Sequence, residues 1–230
     1  MHPSIRTHNF CGRLPRLLTT HVVTLAVIAL ASGAAWAQPK KNLGAYVGII
    51  NVSGSEISPK VNYRANIKVN LPLTEKDGRT ATADYLADEP PVASVTLTHY
   101  ESSHKEKFAD SGGQFNSWEC KLPAPVELQM KPTGILNIDL AKKKHAFSLT
   151  FLTAPDAISL NCTHSRSGPY KKKQGLVLYA GTDVPGMHYE TQLGFKDAAQ
   201  LTAKHTIMPN AQTKGQYGPI VQEWDLKLVH

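Results

Sequence analysis

The chain has 230 residues, 41% of them hydrophobic, and 25 Lys and Arg residues against 18 Asp and Glu give a net charge of +7. This length allows one domain with a substantial buried core. The basic excess is modest, so it bears on solubility and on weak attraction to anionic surfaces, and it is too small to indicate a nucleic-acid-binding protein.

The N-terminus has the pattern of a secretory signal. Three arginines and no acidic residue precede an apolar run from Leu17 to Ala31, and Ala35 and Ala37 flank Trp36. That order predicts cleavage before Gln38. The alternative, a membrane anchor, is disfavoured because the run is shorter than the roughly 20 residues that a span needs. We therefore predict a signal peptide over residues 1–37, a single β domain over 38–230, and a periplasmic or secreted protein.

Without its first 37 residues the chain keeps 193 residues, with 22 basic and 18 acidic side chains and a net charge of +4. No later segment is long and apolar enough to be predicted as a membrane span. The first clear strand is Val61 to Leu71, in which apolar residues alternate with Asn, Arg and Lys. Period-two alternation is typical of a strand with one buried face and one exposed face.

The same alternation recurs along the chain in four further segments, 126–130, 136–140, 147–151 and 224–228. Weaker strand candidates are 46–52, 92–100, 176–180 and 189–193. Clusters rich in Gly and Pro separate these runs, which is typical of short antiparallel strands. We predict an all-β fold, an antiparallel β-sandwich, with a closed β-barrel as the alternative. At most one short helix is expected, over 196–204.

Two cysteines follow the predicted signal, Cys120 and Cys162. An exported chain meets an oxidising compartment, so we predict a disulfide between them. Cys162 shares strand parity with Ile158 and Leu160, which places its side chain toward the core. A more specific alternative is that both cysteines and His164 bind copper or zinc. The chain has no CxxC, HxxxH or HExxH spacing to support such a site.

A second metal hypothesis uses histidines that lie near methionines in the sequence. Imidazole and thioether groups suit copper. The candidate ligands, for copper or zinc, are Met187, His188, His205 and Met208. Scattered surface histidines are the simpler interpretation, because no pair has a local chelating spacing.

Two lysine triplets lie between strand-like runs, and a tyrosine precedes the second. Placed at loop tips, they predict a surface for an anionic lipid, glycan or protein. Lysines at sheet edges also prevent strand pairing, which is the simpler explanation of both triplets. The candidate anion-binding residues are Lys142, Lys143 and Lys144 in the first triplet, and Tyr170, Lys171, Lys172 and Lys173 around the second.

The chain has no GxSxG, GxGxxG or Walker pattern, and no catalytic residue is predicted. The function that follows is an exported, non-catalytic binding protein of a bacterial envelope or exterior, without a resident cofactor. The alternatives are a periplasmic copper- or zinc-handling protein and a hydrolase with a site built from loops.

Overall fold

The structure, a computed structural model, describes residues 42–84, 93–107, 115–184 and 191–230. These residues form strands and connecting turns and contain no helix. Their thirteen strands are β1 (Asn42–Glu56), β2 (Lys60–Glu75), β3 (Thr80–Asp84), β4 (Ala93–Lys107), β5 (Phe115–Lys121), β6 (Val126–Asp139), β7 (Lys144–Leu152), β8 (Ile158–His164), β9 (Gly168–Gln174), β10 (Val177–Gly181), β11 (Leu193–Gly194), β12 (Gln200–Ile207) and β13 (Ile220–Val229).

All strand pairings are antiparallel, and they join the strands into one sheet. The order along the sheet is β12, β13, β1, β2, β3, β6, β4, β5, β8 and β9. β7 pairs with β6, and both β10 and β11 pair with β7. The main path ends at β12 on one side and at β9 on the other, and an additional pairing joins β2 to β4.

The burial pattern confirms the alternation predicted for the longest strands. In β2 the odd residues from Val61 to Leu73 are buried while Arg64, Asn66, Lys68 and Asn70 are exposed. The hydrophobic residues buried on one face of the sheet provide the main driving force for folding, because their apolar area leaves water.

The sheet folds onto itself so that β7 and β10 pack against β13. The Phe147 and Trp224 rings meet edge to face with their centroids 5.0 Å apart. Gln222 on β13 accepts a hydrogen bond from the backbone amide of Gly181 on β10 at 2.6 Å. The predicted all-β, antiparallel, sandwich-like packing is confirmed by these contacts between layers.

The segment 196–204, considered as a possible short helix, is not helical. Residues 196–199 form a turn in which Asp197 accepts a hydrogen bond from the Ala199 amide at 2.9 Å, and β12 begins at Gln200. Pairing of β12 with β13 satisfies its backbone groups and buries Leu201 and Ile207.

Among the other predicted strands, the segment 189–193 agrees with the structure only at Leu193. Residues 189–190 lie outside the described residues, and β11 is limited to Leu193 and Gly194. Within the described part of the chain there is no helix with the length and apolar character to cross a membrane.

A bulge in β4 changes which side chains face the core. Ala65 pairs with Leu97, but Arg64 pairs with His99, so one extra residue, Thr98, enters β4. Leu97 is buried before the bulge, and Tyr100 and Ser102 are buried after it. The inward-facing positions of β4 therefore switch from odd to even numbers, as a one-residue insertion requires.

Candidate functional site

The Cys120–Cys162 disulfide ties β5 to β8, as predicted. The two residues are direct partners in the strand register, their Cα atoms are 4.0 Å apart, and the S–S bond is 2.04 Å long. Both side chains are buried on the core-facing side. Because both sulfur atoms are used in this bond, neither is a thiolate, and the metal site considered with His164 lacks its sulfur ligands.

His164, the last residue of β8, caps the turn between β8 and β9. Its Nδ1 atom accepts hydrogen bonds from the backbone amides of Arg166 at 3.2 Å and Ser167 at 3.3 Å. These amides lie in a tight turn between two strands, so the imidazole supplies an acceptor that the sheet does not. The histidine beside Cys162 therefore has a structural role in this hairpin.

A row of one indole and two imidazole side chains crosses β4, β5 and β8, two residues from the disulfide cysteines along β5 and β8. Trp118 pairs in register with His104 on one side and with His164 on the other. The His104 and Trp118 ring centroids are 6.2 Å apart with an interplanar angle of 31°. This row lies on the core-facing side, but its side chains are partly exposed, whereas Cys120 and Cys162 are buried. The opposite layer of the sandwich therefore covers the disulfide but leaves the side chains of His104, Trp118 and His164 partly accessible to solvent.

β9 adds a phenol and an ammonium group to the same side of the sheet. Tyr170 pairs with Cys162 and Lys172 pairs with Leu160, so both side chains share the face of those inward residues. The Lys172 Nζ atom lies 5.3 Å from the Trp118 ring centroid, within the range of a cation–π contact. The Tyr170 hydroxyl is 3.9 Å from the Cys120 Sγ atom, and Tyr170 is 40% exposed. We call this surface the Trp118 face, composed of His104, Trp118, His164, Tyr170 and Lys172.

The second lysine triplet does not form a loop tip, in contrast to the sequence prediction. Lys171, Lys172 and Lys173 all belong to β9, and the turn before them is confined to residues 165–167. Lysine is a poor strand former, but an edge strand with exposed side chains tolerates it. Strand alternation then divides the triplet: Lys172 lies on the Trp118 face, while Lys171 and Lys173 point to the outer face.

The first lysine triplet is at a loop tip only in part. Lys142 and Lys143 lie in the turn between β6 and β7, as predicted, but Lys144 is the first residue of β7, and all three side chains are exposed. Lys143 has a φ of +52°, and its carbonyl oxygen accepts a hydrogen bond from the Phe195 amide at 3.0 Å. The backbone of Lys143 therefore joins this turn to the segment after β11, a structural role that the sequence prediction did not include.

Lys142 is held within the same turn by an acid. Its amide donates to Asp139 Oδ1 at 2.8 Å, and its Nζ atom lies 3.1 Å from Asp139 Oδ2. The hydrogen bond from the Lys142 backbone, and then that from its side chain, lower the pKa of the Asp139 carboxyl. No strand pairing joins β9 directly to β6 or β7 within the described ranges, so the sheet register does not unite the two triplets into one basic surface. Anion binding by Lys142, Lys143 and Lys144 stays a prediction.

The histidine and methionine candidates are not brought together by the described residues. Met187 and His188 lie outside them. His205 lies on β12, and Met208, just beyond that strand, is 55% exposed. In the part of the chain that the structure covers, no group of three or more His, Cys, Asp or Glu side chains is placed to hold a metal ion. The copper or zinc hypothesis stays a prediction.

Glu56 is an acid whose environment resembles that of a catalytic group. It ends β1, and partial burial raises the pKa of its carboxyl. Its electrostatic neighbours are tyrosines, Tyr63, Tyr100 and Tyr179, each of whose pKa it helps to raise. Hydrolysis of a glycosidic bond ordinarily needs two carboxyl groups across the bond. The phenols around Glu56 do not supply such a second carboxyl group, and the hydrolase alternative stays a prediction.

A broad depression of the surface, about 760 Å³, lies on the outer side of β12, β13, β1, β2 and β4. Its lining mixes Ile49 with amides, hydroxyls and charges of both signs, including Lys68, Glu223 and Asp225. Such a mixed, shallow lining favours no ligand class. The Trp118 face, in contrast, combines two aromatic rings with an ammonium group and two imidazoles.

Sequence reasoning selected Tyr170 and Lys172 but missed His104 and Trp118. Trp118 could have been found, because it shares the strand parity of Cys120 two residues later. His104 could not, because its orientation depends on the bulge in β4. Comparisons with known protein families, with curated proteins and with solved structures found no match to this chain.

Proposed function

We propose that the protein is an exported binding protein that holds an anionic partner on its Trp118 face. Export is supported by the N-terminal sequence, with its basic residues, apolar run and small-residue site before Gln38. It is also supported by the Cys120–Cys162 disulfide, because such bonds persist in oxidising compartments. The segment that carries the proposed signal lies outside the described residues.

One observation carries the choice of surface: the ammonium group of Lys172 lies over the partly exposed ring of Trp118, beside exposed Tyr170. Among the described residues, no carboxylate lies within ion-pairing distance of Lys172. The lysine is therefore positioned by an aromatic ring while its charge stays available to a partner. A cation beside one exposed ring and one partly exposed ring is well suited to an anion that also has an apolar surface.

A binding role accounts for these groups better than catalysis does. A general acid or base needs a titrating group at the reacting atom, with a pKa adjusted to its task. The Trp118 face instead presents aromatic surface, a lysine and hydrogen-bonding imidazoles, of which His164 is occupied in its turn. Such groups bind and orient a ligand.

The experiment is to express the full chain in a bacterium, to recover it after export and to test its retention on immobilised polyanions at low and high salt. We expect an intact mass that begins at Gln38, and retention that weakens with salt because exposed charges are screened. A neutral polymer of the same backbone serves as the control. Equal passage through charged and neutral columns would refute the binding proposal, and an uncleaved chain in the cytoplasm would refute export.

A further inference from the structure

We infer that the anionic partner is an extended acidic polysaccharide that lies across β4, β5, β8 and β9 on the Trp118 face. This inference rests on the proposed function and specifies the ligand class for the same surface. It depends on three features of the described residues: the accessible aromatic rings, the division of the β9 lysines between two faces, and the length of the row of side chains.

The two aromatic rings provide the first argument. Trp118 on β5 and Tyr170 on β9 are on the same side of the sheet and both are accessible. An aromatic ring offers a flat apolar surface together with a polar edge. A sugar ring has the complementary character, with C–H groups on one face and hydroxyls around its edge. A pyranose ring that stacks on Tyr170, with a neighbouring sugar against the accessible part of Trp118 beside Lys172, therefore satisfies both the apolar and the polar parts of the ligand.

The arrangement of the lysines argues for a chain rather than a lipid surface. A layer of anionic headgroups is best met by several cations that point in one direction. In β9 only Lys172 points to the Trp118 face, and Lys171 and Lys173 point to the other side of the sheet. One cation beside two rings matches a sugar chain in which carboxylates are separated by neutral ring surface.

The dimensions of the face argue for an extended ligand rather than a single sugar. His104, Trp118 and His164 lie in one row on β4, β5 and β8, and β9 continues the same side of the sheet. Adjacent strands are about 4.8 Å apart, so the four strands span about 14 Å. A face of that length accommodates several linked sugar units at once.

The test compares substitutions on the two sides of β9. Lys172→Ala removes the cation of the Trp118 face, and Lys171→Ala and Lys173→Ala remove the same charge from the outer face. The exported protein is titrated calorimetrically with oligogalacturonate, with a neutral glucan of equal length and with phosphatidylglycerol vesicles. We expect Lys172→Ala and Trp118→Ala to weaken oligogalacturonate binding about tenfold or more, and the outer-face variants to change it less than about threefold.

Trp118 also packs against the core, so Trp118→Phe keeps an aromatic ring as a control for folding. Retention of near-wild-type affinity in that variant, with loss in Trp118→Ala, supports contact between the aromatic ring and the ligand. Three results would overturn parts of the account. Binding to vesicles but not to oligogalacturonate would refute the polysaccharide and leave the anion-binding function standing. Equal losses in Lys171→Ala, Lys172→Ala and Lys173→Ala would refute the Trp118 face. No binding to either polyanion would refute the inference and the proposed function together.

Discussion

The side chain of Gln222 on β13 and the backbone of Gly181 on β10 are hydrogen-bonded across the two layers of the sandwich. The Gln222 Oε1 atom accepts from the Gly181 amide at 2.6 Å, and Gln222 is fully buried. Gly181 has a φ of +135°, and a side chain there would collide with the Phe147 carbonyl. Gln222 is polar although it faces the core, because its side chain accepts the hydrogen bond of the Gly181 amide at the end of β10.

Replacement of Gln222 by Leu should therefore destabilise the protein by about 1–3 kcal/mol, because the buried Gly181 amide loses its acceptor. The measurement is the free energy of unfolding from urea denaturation. Glu223→Leu, at the neighbouring exposed position, is the control and should change stability by less than about 0.5 kcal/mol. Equal stability of Gln222→Leu and the wild type would contradict this role for the hydrogen bond.

Loss of the Cys120–Cys162 disulfide should lower the free energy of unfolding by about 4 kcal/mol on a chain-entropy estimate, because the bond closes a long loop of the unfolded chain. The double variant Cys120→Ala/Cys162→Ala should match the reduced wild-type protein in urea unfolding. An unfolding midpoint that does not move on reduction would show that the two cysteines are unpaired in the protein.

The stability should also fall in mild acid because of His145. This imidazole is buried among the Phe147, Phe195 and Trp224 rings, and burial lowers its pKa to about 4, an effect that the backbone of Leu193 offsets only in part. The unfolded chain takes up the proton first as the pH falls, near the ordinary histidine pKa of about 6.5. The contribution of neutral His145 to the free energy of unfolding is therefore complete above pH 6.5. It is lost as the pH falls toward 4, by about 3 kcal/mol in all.

A His145→Leu variant provides the comparison. Its free energy of unfolding should vary less between pH 6.5 and pH 4 than that of the wild type, whatever its absolute stability. If the free energy of unfolding changed with pH equally in both proteins, another titrating group would be responsible for the loss of stability in acid.

The outer-face lysines of β9 should protect the last strand of the sheet from pairing with another chain. Lys171→Val/Lys173→Val converts this edge into an apolar, β-prone strand, so we expect more association than in the wild type at equal concentration. Size-exclusion chromatography with light scattering measures it. Lys171→Glu/Lys173→Glu keeps the edge charged and should behave like the wild type, and association of both variants to the same degree would contradict edge protection.

The sequence alone predicts the strands whose two faces differ strongly in polarity. The alternation in β2 identifies the buried residues from Val61 to Leu71, and the parity of Cys162 identifies the side of β8 that carries the disulfide. These predictions succeed because a period-two pattern records which face is buried.

Structural features that depend on which strands pair with each other cannot be predicted from the local sequence. The bulge at Thr98 depends on the register between β2 and β4, and it determines that His104 lies beside Trp118. The strand state of Lys171–Lys173 depends on their position at the sheet edge beside β8, because lysine propensity alone disfavours it. Thus the disulfide could be predicted, and the Trp118 face could be predicted only in part.

The central claim, that an anionic polysaccharide binds to the Trp118 face, is tested most directly by the indole N–H signals of the exported protein. The proposed cleavage before Gln38 would leave two tryptophans: Trp118, partly exposed on this face, and Trp224, buried in the core. They are distinguished in ¹H–¹⁵N spectra by the loss of one signal in Trp118→Phe. Addition of oligogalacturonate should shift the Trp118 indole signal progressively and leave that of Trp224 in place, whereas a saturating titration that leaves the Trp118 signal unmoved would contradict the account.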